Sequence, residues 1–163
     1  MERALVIYYS FSGNTKELAQ EFAAALQTRF QTDLVRIEAL DESASFFGQA
    51  RRAFFKTEAR IPDTLPFDVS AYALVAVGTP VWAFGAAPAV RSWLRRSRGF
   101  NAARGVAFAT YGSGAGSKKC IGEMSCLLRA KGATTVKTLL IQQAQCSQPA
   151  MMRQQCAELM RDV

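Results

Sequence analysis

Histidine is absent from this chain of 163 residues, and its four cysteines, Cys120, Cys126, Cys146 and Cys156, contain no Cys-x-x-Cys pair. A zinc site would have to use all four thiols at spacings foreign to zinc sites, so no metal is expected. Cys120 and Cys156 fall on apolar helical stripes and read as reduced core residues. No run approaches the roughly 18–20 apolar residues that span a bilayer, so no membrane span is expected. The apolar run that begins at Ala4 is too short for a secretory signal, which makes a cytoplasmic protein the expectation. Low-complexity segments, repeats and long linkers are missing too, so residues 1–163 read as a single domain. Acidic residues are the scarce charge: 13 Asp and Glu face 20 Lys and Arg, a formal net charge of +7. The basic residues gather in Arg51-Arg52, Lys56 and Arg60, in Arg91, Arg95-Arg96 and Arg98, and in Lys118-Lys119. No nucleic-acid-binding module accompanies them, which argues against a nucleic-acid partner. Most of them solvate helix faces, while the overall balance favours anionic partners such as phosphorylated cofactors or acidic proteins.

What is present is a half-hydrophobic chain in which strand and helix patterns alternate. Such alternation signals an α/β fold with a mostly parallel sheet. Strands are predicted over Ala4–Tyr9, Asp33–Glu38, Tyr72–Val77, Gly105–Ala109 and Thr134–Ile141. Helices are predicted over Asn14–Phe30, Ser45–Lys56, from Pro88, after the glycine-rich Thr110–Ser117, and from Pro149. Asp33–Glu38 alternates apolar and charged residues, and the last strand carries Lys137, so these two read as sheet edges. The other three strands are continuous and apolar. This fits a three-layer, doubly wound, five-stranded parallel sheet in the order 2-1-3-4-5.

In such a sheet a ligand binds beyond the carboxyl ends of the strands, where the connection order reverses. Three loops meet there. The first, Ser10-Phe11-Ser12-Gly13-Asn14-Thr15, joins a buried strand to a helix and aims backbone N–H groups and the positive end of a helix dipole at one point. Ser10, Ser12 and Thr15 add hydroxyl donors, Gly13 admits close approach, and Asn14 can pin the turn. This suits a phosphate held without a formal positive charge in the loop. No Gly-Lys-Ser/Thr follows, so it is not a Walker loop, and the glycine spacing is not that of a dinucleotide fingerprint. A polar strand-to-helix turn with an N-cap is the plainer account of the same residues. The second loop is Gly78-Thr79-Pro80-Val81-Trp82-Ala83-Phe84-Gly85, and the third is Thr110-Tyr111-Gly112-Ser113-Gly114-Ala115-Gly116. Neither carries a charged side chain. Trp82 can stack on a flat heteroaromatic ring with Tyr111 or Phe84 beside it, or it can simply anchor its loop to the core.

Ser/Thr-x-Ser/Thr-Gly-Asn-Thr after the first strand resembles the FMN-phosphate loop of the flavodoxin family. Gly78-Thr79-Pro80-Val81-Trp82 is similar to the flavin-stacking loop of flavodoxin-like proteins, and the third loop matches more loosely. The resemblance implies non-covalent FMN. It places Ser10, Phe11, Ser12, Gly13, Asn14 and Thr15 around the phosphate. Trp82 would stack on the ring, and Thr79, Pro80, Val81, Ala83 and Phe84, with Thr110, Tyr111, Gly112, Ser113, Gly114 and Gly116, would line it. No catalytic acid or base follows, because the flavin carries the redox chemistry.

Two features depart from the family. Ala83 stands where many flavodoxins have glycine, and alanine resists the positive φ of the backbone flip that stabilises half-reduced flavin. The chain is also basic where electron-carrying flavodoxins are acidic, which implies a less negative potential for full reduction. The expected role is an electron-transfer protein working between a reductase and an acceptor protein. An NAD(P)H-dependent quinone or flavin reductase is the alternative, and a protein-binding module using the Phe46–Phe55 helix is a third possibility.

Overall fold

The computed structural model describes residues 1–42, 58–101 and 103–161. The predicted helix over Ser45–Lys56, with Phe46 and Phe55, lies outside them. Five parallel strands, β1 (Arg3–Tyr8), β2 (Gln31–Arg36), β3 (Leu74–Trp82), β5 (Arg104–Tyr111) and β6 (Thr135–Gln142), form the sheet, and the two-residue β4 (Gly85–Ala86) folds back antiparallel on β3. The order is β2-β1-β3-β5-β6 with β4 off the path. Counting parallel strands alone, this is the anticipated 2-1-3-4-5 arrangement; β4 is an addition that the sequence pattern did not announce.

Helices α1 (Asn14–Leu26), α2 (Pro88–Arg96), α3 (Ser117–Ala130) and α4 (Pro149–Met160) cover the sheet. The α1 stripe of Leu18, Phe22 and Leu26 and the α4 stripe of Met152, Cys156 and Met160 pack with Val6, Ala76 and Phe108 on one face. On the other face, Val90, Trp93 and Leu94 of α2 and Ile121, Met124 and Leu128 of α3 pack on Leu5, Ile7, Val75 and Val77. β1 and β3 are covered on both sides, which is why they read as unbroken apolar runs. Each large side chain among these contributes about 1.5–3 kcal/mol on burial.

Several boundaries differ from expectation, chiefly at α1, β2 and β3. α1 ends at Leu26 rather than Phe30, because the chain reverses there: Arg29 and Phe30 both donate N–H to the Leu26 carbonyl before Gln31 pairs beside Arg3. β2 correspondingly begins at Gln31 and ends at Arg36. β3 runs on through Gly78-Thr79-Pro80-Val81-Trp82, which the sequence suggested was loop. Its pairing with β1 stops at Gly78, so Pro80 lies where that side of the strand has no β1 partner and a missing N–H costs little. Lys137 does sit on an outer strand, where its Nζ donates to the Leu159 carbonyl at 3.0 Å. Among the described residues no helix is long and apolar enough to cross a membrane.

Candidate functional site

The sheet brings the carboxyl ends of β1, β3 and β5 together, and with them the three loops. The first loop leaves β1 through Tyr9, whose N–H donates to the Gly78 carbonyl at 3.1 Å. Ser10 is buried, and its hydroxyl oxygen accepts the N–H of Lys16 in the first turn of α1 at 3.2 Å. Asn14 Nδ2 donates to Ser12 Oγ at 3.2 Å and braces the turn, as its residue type suggested. Gly13 is the N-cap with φ +100°, and a Cβ built on it would meet nothing within 4 Å, so the mouth of the turn is open. The backbone N–H groups of Phe11, Ser12, Gly13, Asn14 and Thr15 have no hydrogen-bond partner among the described residues. They form an open run of donors at a helix N-terminus, where partial positive charge accumulates.

Thr15 reaches across to the third loop. Its hydroxyl and that of Thr110 are 2.8 Å apart, and both residues are buried. Two hydroxyls bring two hydrogens to one hydrogen bond, so one hydrogen is left over for another acceptor. This contact ties the N-terminus of α1 to the end of β5.

The second loop is a hairpin in which Trp82 pairs with Gly85, and the two residues between them both lie in the left-handed region, Ala83 at φ +44° and Phe84 at φ +68°. The expectation that Ala83 resists positive φ is therefore corrected. Positive φ at both positions of a two-residue hairpin matches the strand twist, and the hairpin imposes it on alanine and phenylalanine at about 1–2 kcal/mol each. Packing offsets this cost. Phe84 lies over Gly116, where an added Cβ would come within 2.2 Å of the ring and 2.6 Å of the Phe84 Cα. Only glycine, at φ +76°, fits beneath it. Thr79 is wholly buried, and its hydroxyl accepts the Ala87 N–H and donates to the Pro80 carbonyl, both at 2.9 Å. Thr79 thus holds the hairpin in place from behind.

Trp82 is 8% exposed and belongs to the core, meeting Tyr9 edge-on at 5.6 Å and Phe11 edge-on at 5.8 Å between ring centroids. The rings that these loops expose most are Phe84 at 50% and Phe11 at 37%. Pro80 is buried and Val81 half-buried. In the third loop Thr110 and Tyr111 close β5, and the Gly114 carbonyl accepts both the N–H and the hydroxyl of Ser117. Gly112 and Ser113 are exposed, and Tyr111 flanks Gly114. Exposed Lys118 and Lys119 occupy the first turn of α3, which contains no acidic residue.

The loop itself carries no charged side chain, but a formal charge reaches it from another element. Arg36, the last residue of β2, donates from Nη2 to the Ser10 carbonyl at 3.1 Å. The register that sets Arg36 opposite Tyr8 delivers it there, so the edge-strand assignment together with the 2-1 order was the available signal. Burial pushes the Tyr8 phenol up, Arg36 opposes that shift and Glu17 adds to it, so Tyr8 stays protonated through the neutral range. Tyr9 was also missed; its hydroxyl donates to a Glu42 carboxylate oxygen. Tyr9, Glu42 and Trp82 line one small cavity with Ala39, Ala59, Pro88 and Ala89. Among the described residues no group of three or more His, Cys, Asp or Glu could hold a metal.

No family model matches the chain, and no curated protein matches it by sequence. Solved structures do match. A flavoprotein in complex with FMN from Lactobacillus acidophilus NCFM aligns at TM-score 0.61 and 18% identity over 92% of this chain and 99% of that one. A flavodoxin from the domain Archaea aligns at TM-score 0.60 and 16% identity over 96% and 98%. An NADH:FMN oxidoreductase in its apo form aligns at TM-score 0.67 and 16% identity over 96% and 86%. At these identities the likeness is one of architecture, and it establishes that the chain has the flavodoxin-like fold.

Proposed function

We propose that this protein binds FMN non-covalently at the three loops and serves as an electron-transfer flavoprotein between a reductase and an acceptor protein. The observation that carries the reading is the open run of unpartnered N–H groups from Phe11 to Thr15, set at the N-terminus of α1 beyond the end of β1. Backbone donors in that position suit a dianionic phosphate. The fold match to a flavoprotein in complex with FMN supports the same choice of ligand.

FMN, when bound, supplies the one- and two-electron chemistry. The chain's own residues do the rest. Ser12, Gly13, Asn14 and Thr15 would hold the phosphate, with Phe11 contributing its N–H. Val81, Trp82, Ala83 and Phe84 from the hairpin, with Tyr111, Gly112, Ser113, Gly114 and Gly116, would border the ring and limit its contact with water. Arg36, Lys118 and Lys119 place positive charge around these loops, which favours a reduced, anionic ligand and makes the potential for full reduction less negative than in an acidic flavodoxin. A cytoplasmic location accords with this role.

An NAD(P)H-dependent quinone or flavin reductase is the second reading, favoured by the likeness to an NADH:FMN oxidoreductase and by the basic first turn of α3. Visible spectra of the purified protein, with and without added FMN, test the first proposal; a protein that stays colourless and takes up no FMN refutes it. Addition of NADPH without air to the FMN-loaded protein separates the two readings. A carrier keeps its colour until a reductase is supplied, whereas immediate bleaching identifies the reductase.

A further inference from the structure

We infer that Arg36 is a positioning residue of the anion cradle, turning it into a cationic site that selects a phosphorylated flavin over an unphosphorylated one. The inference rests on the cofactor reading above and adds to it a residue outside all three loops. Arg3, Arg95, Arg96, Arg98, Arg104 and Arg153 each pair with a carboxylate. Arg36 has no carboxylate partner among the described residues; its hydrogen bond goes to the Ser10 carbonyl.

The placement has a stereochemical consequence. The Ser10–Phe11 peptide is trans, as all are among the described residues, so its C=O and N–H point in opposite directions. Tethering the carbonyl to the guanidinium turns the Phe11 N–H away from β2. That N–H is the first of the unpartnered donors running to Thr15. Arg36 therefore orients one donor and sets a full charge one peptide behind it. Other charged groups do not supply the same field. Lys16 and Glu17 are adjacent in the first turn of α1 and oppose one another, and the Tyr8 phenol between Arg36 and Glu17 is neutral. Arginine suits the task because its charge is permanent and its fork keeps N–H groups free after one is engaged.

The test is a titration of wild type, Arg36→Gln and Arg36→Lys with FMN and with riboflavin, which lacks the phosphate, at low and high ionic strength. Flavin fluorescence gives the dissociation constants. Arg36→Gln is expected to weaken FMN binding about tenfold at low salt and to change riboflavin binding by less than about twofold, with the FMN loss shrinking as salt rises. Arg36→Lys restores part of the FMN affinity at low salt. Should Arg36→Gln fail to fold, the wild-type preference for FMN over riboflavin carries the test, because it must fall with ionic strength; a preference indifferent to salt overturns the role. So does Arg36→Gln weakening both flavins equally, the mark of a merely structural residue, or leaving FMN affinity unchanged. A wild type that binds FMN while Arg36→Gln matches it overturns this inference alone. A wild type that binds neither flavin overturns the cofactor reading and this role together.

Discussion

Replacing Thr15 or Thr110 by valine removes a hydroxyl at nearly constant volume and strands its partner. The two oxygens are 2.8 Å apart and both residues are buried, so water does not readily take the place of the missing group. Each single substitution breaks the hydrogen bond and leaves a buried polar group unsatisfied, which costs about 1–3 kcal/mol, about 2 kcal/mol at the middle of that range. Removing both hydroxyls strands nothing. The double variant should thus lie within about 1 kcal/mol of either single, giving a coupling energy of about 2 kcal/mol where independent sites would add. With a urea m-value of about 2 kcal/mol per molar, each single midpoint falls by about 1 M and the double falls by far less than the sum. Equilibrium urea unfolding of the four proteins without flavin measures this directly. Additivity within about 0.5 kcal/mol would refute the claim that this contact ties the two loops together.

Ala83→Gly relieves the left-handed strain at φ +44° while raising unfolded-chain entropy, a net gain of about 0.5–1 kcal/mol that should lift the thermal midpoint by about 2 °C; a lower midpoint contradicts it. Native alkylation near neutral pH should modify Cys126 alone, because it is exposed, whereas burial raises Cys146 and pushes Cys120 and Cys156 up to about 12; mass spectrometry of the labelled peptides reports it. Asp33 accepts hydrogen bonds from Tyr72 and Arg3, which hold its carboxyl below the ordinary 3.8. Its contribution is whole above pH 3.8 and fades as pH falls through the depressed folded value. With both members of the ion pair well exposed to solvent, Asp33→Asn should cost less than about 1 kcal/mol at neutral pH and flatten the acid limb of urea midpoints.

The parts of the fold carried by side-chain periodicity were legible from the sequence. Charged outer strands and apolar inner ones gave the strand order, and Pro149 marked the start of α4. The Ser10–Thr15 turn could be located because strand, small residues and helix follow one another directly. What escaped depends on neighbours distant in sequence. Gly78 and Pro80 look like breakers until it is known that β1 stops pairing at Gly78. Ala83-Phe84 has none of the Asn-Gly character of a two-residue turn, since its geometry is enforced by Phe84 seating on Gly116. Arg36 reaches the cradle only through the register of β2 on β1. For Trp82 the sequence favours stacking over anchoring, and its burial beside Tyr9 and Phe11 comes to light only in the structure.

That burial equips the molecule with its own optical gauge. The chain has two tryptophans: Trp93 of α2 is fully enclosed in the core with its indole N–H on the Pro66 carbonyl, while Trp82 belongs to the hairpin of the second loop. Any chromophore settling at that loop drains the excited state of Trp82 more than that of Trp93. Intrinsic emission can therefore count occupied molecules in real time without dye, tag or partner.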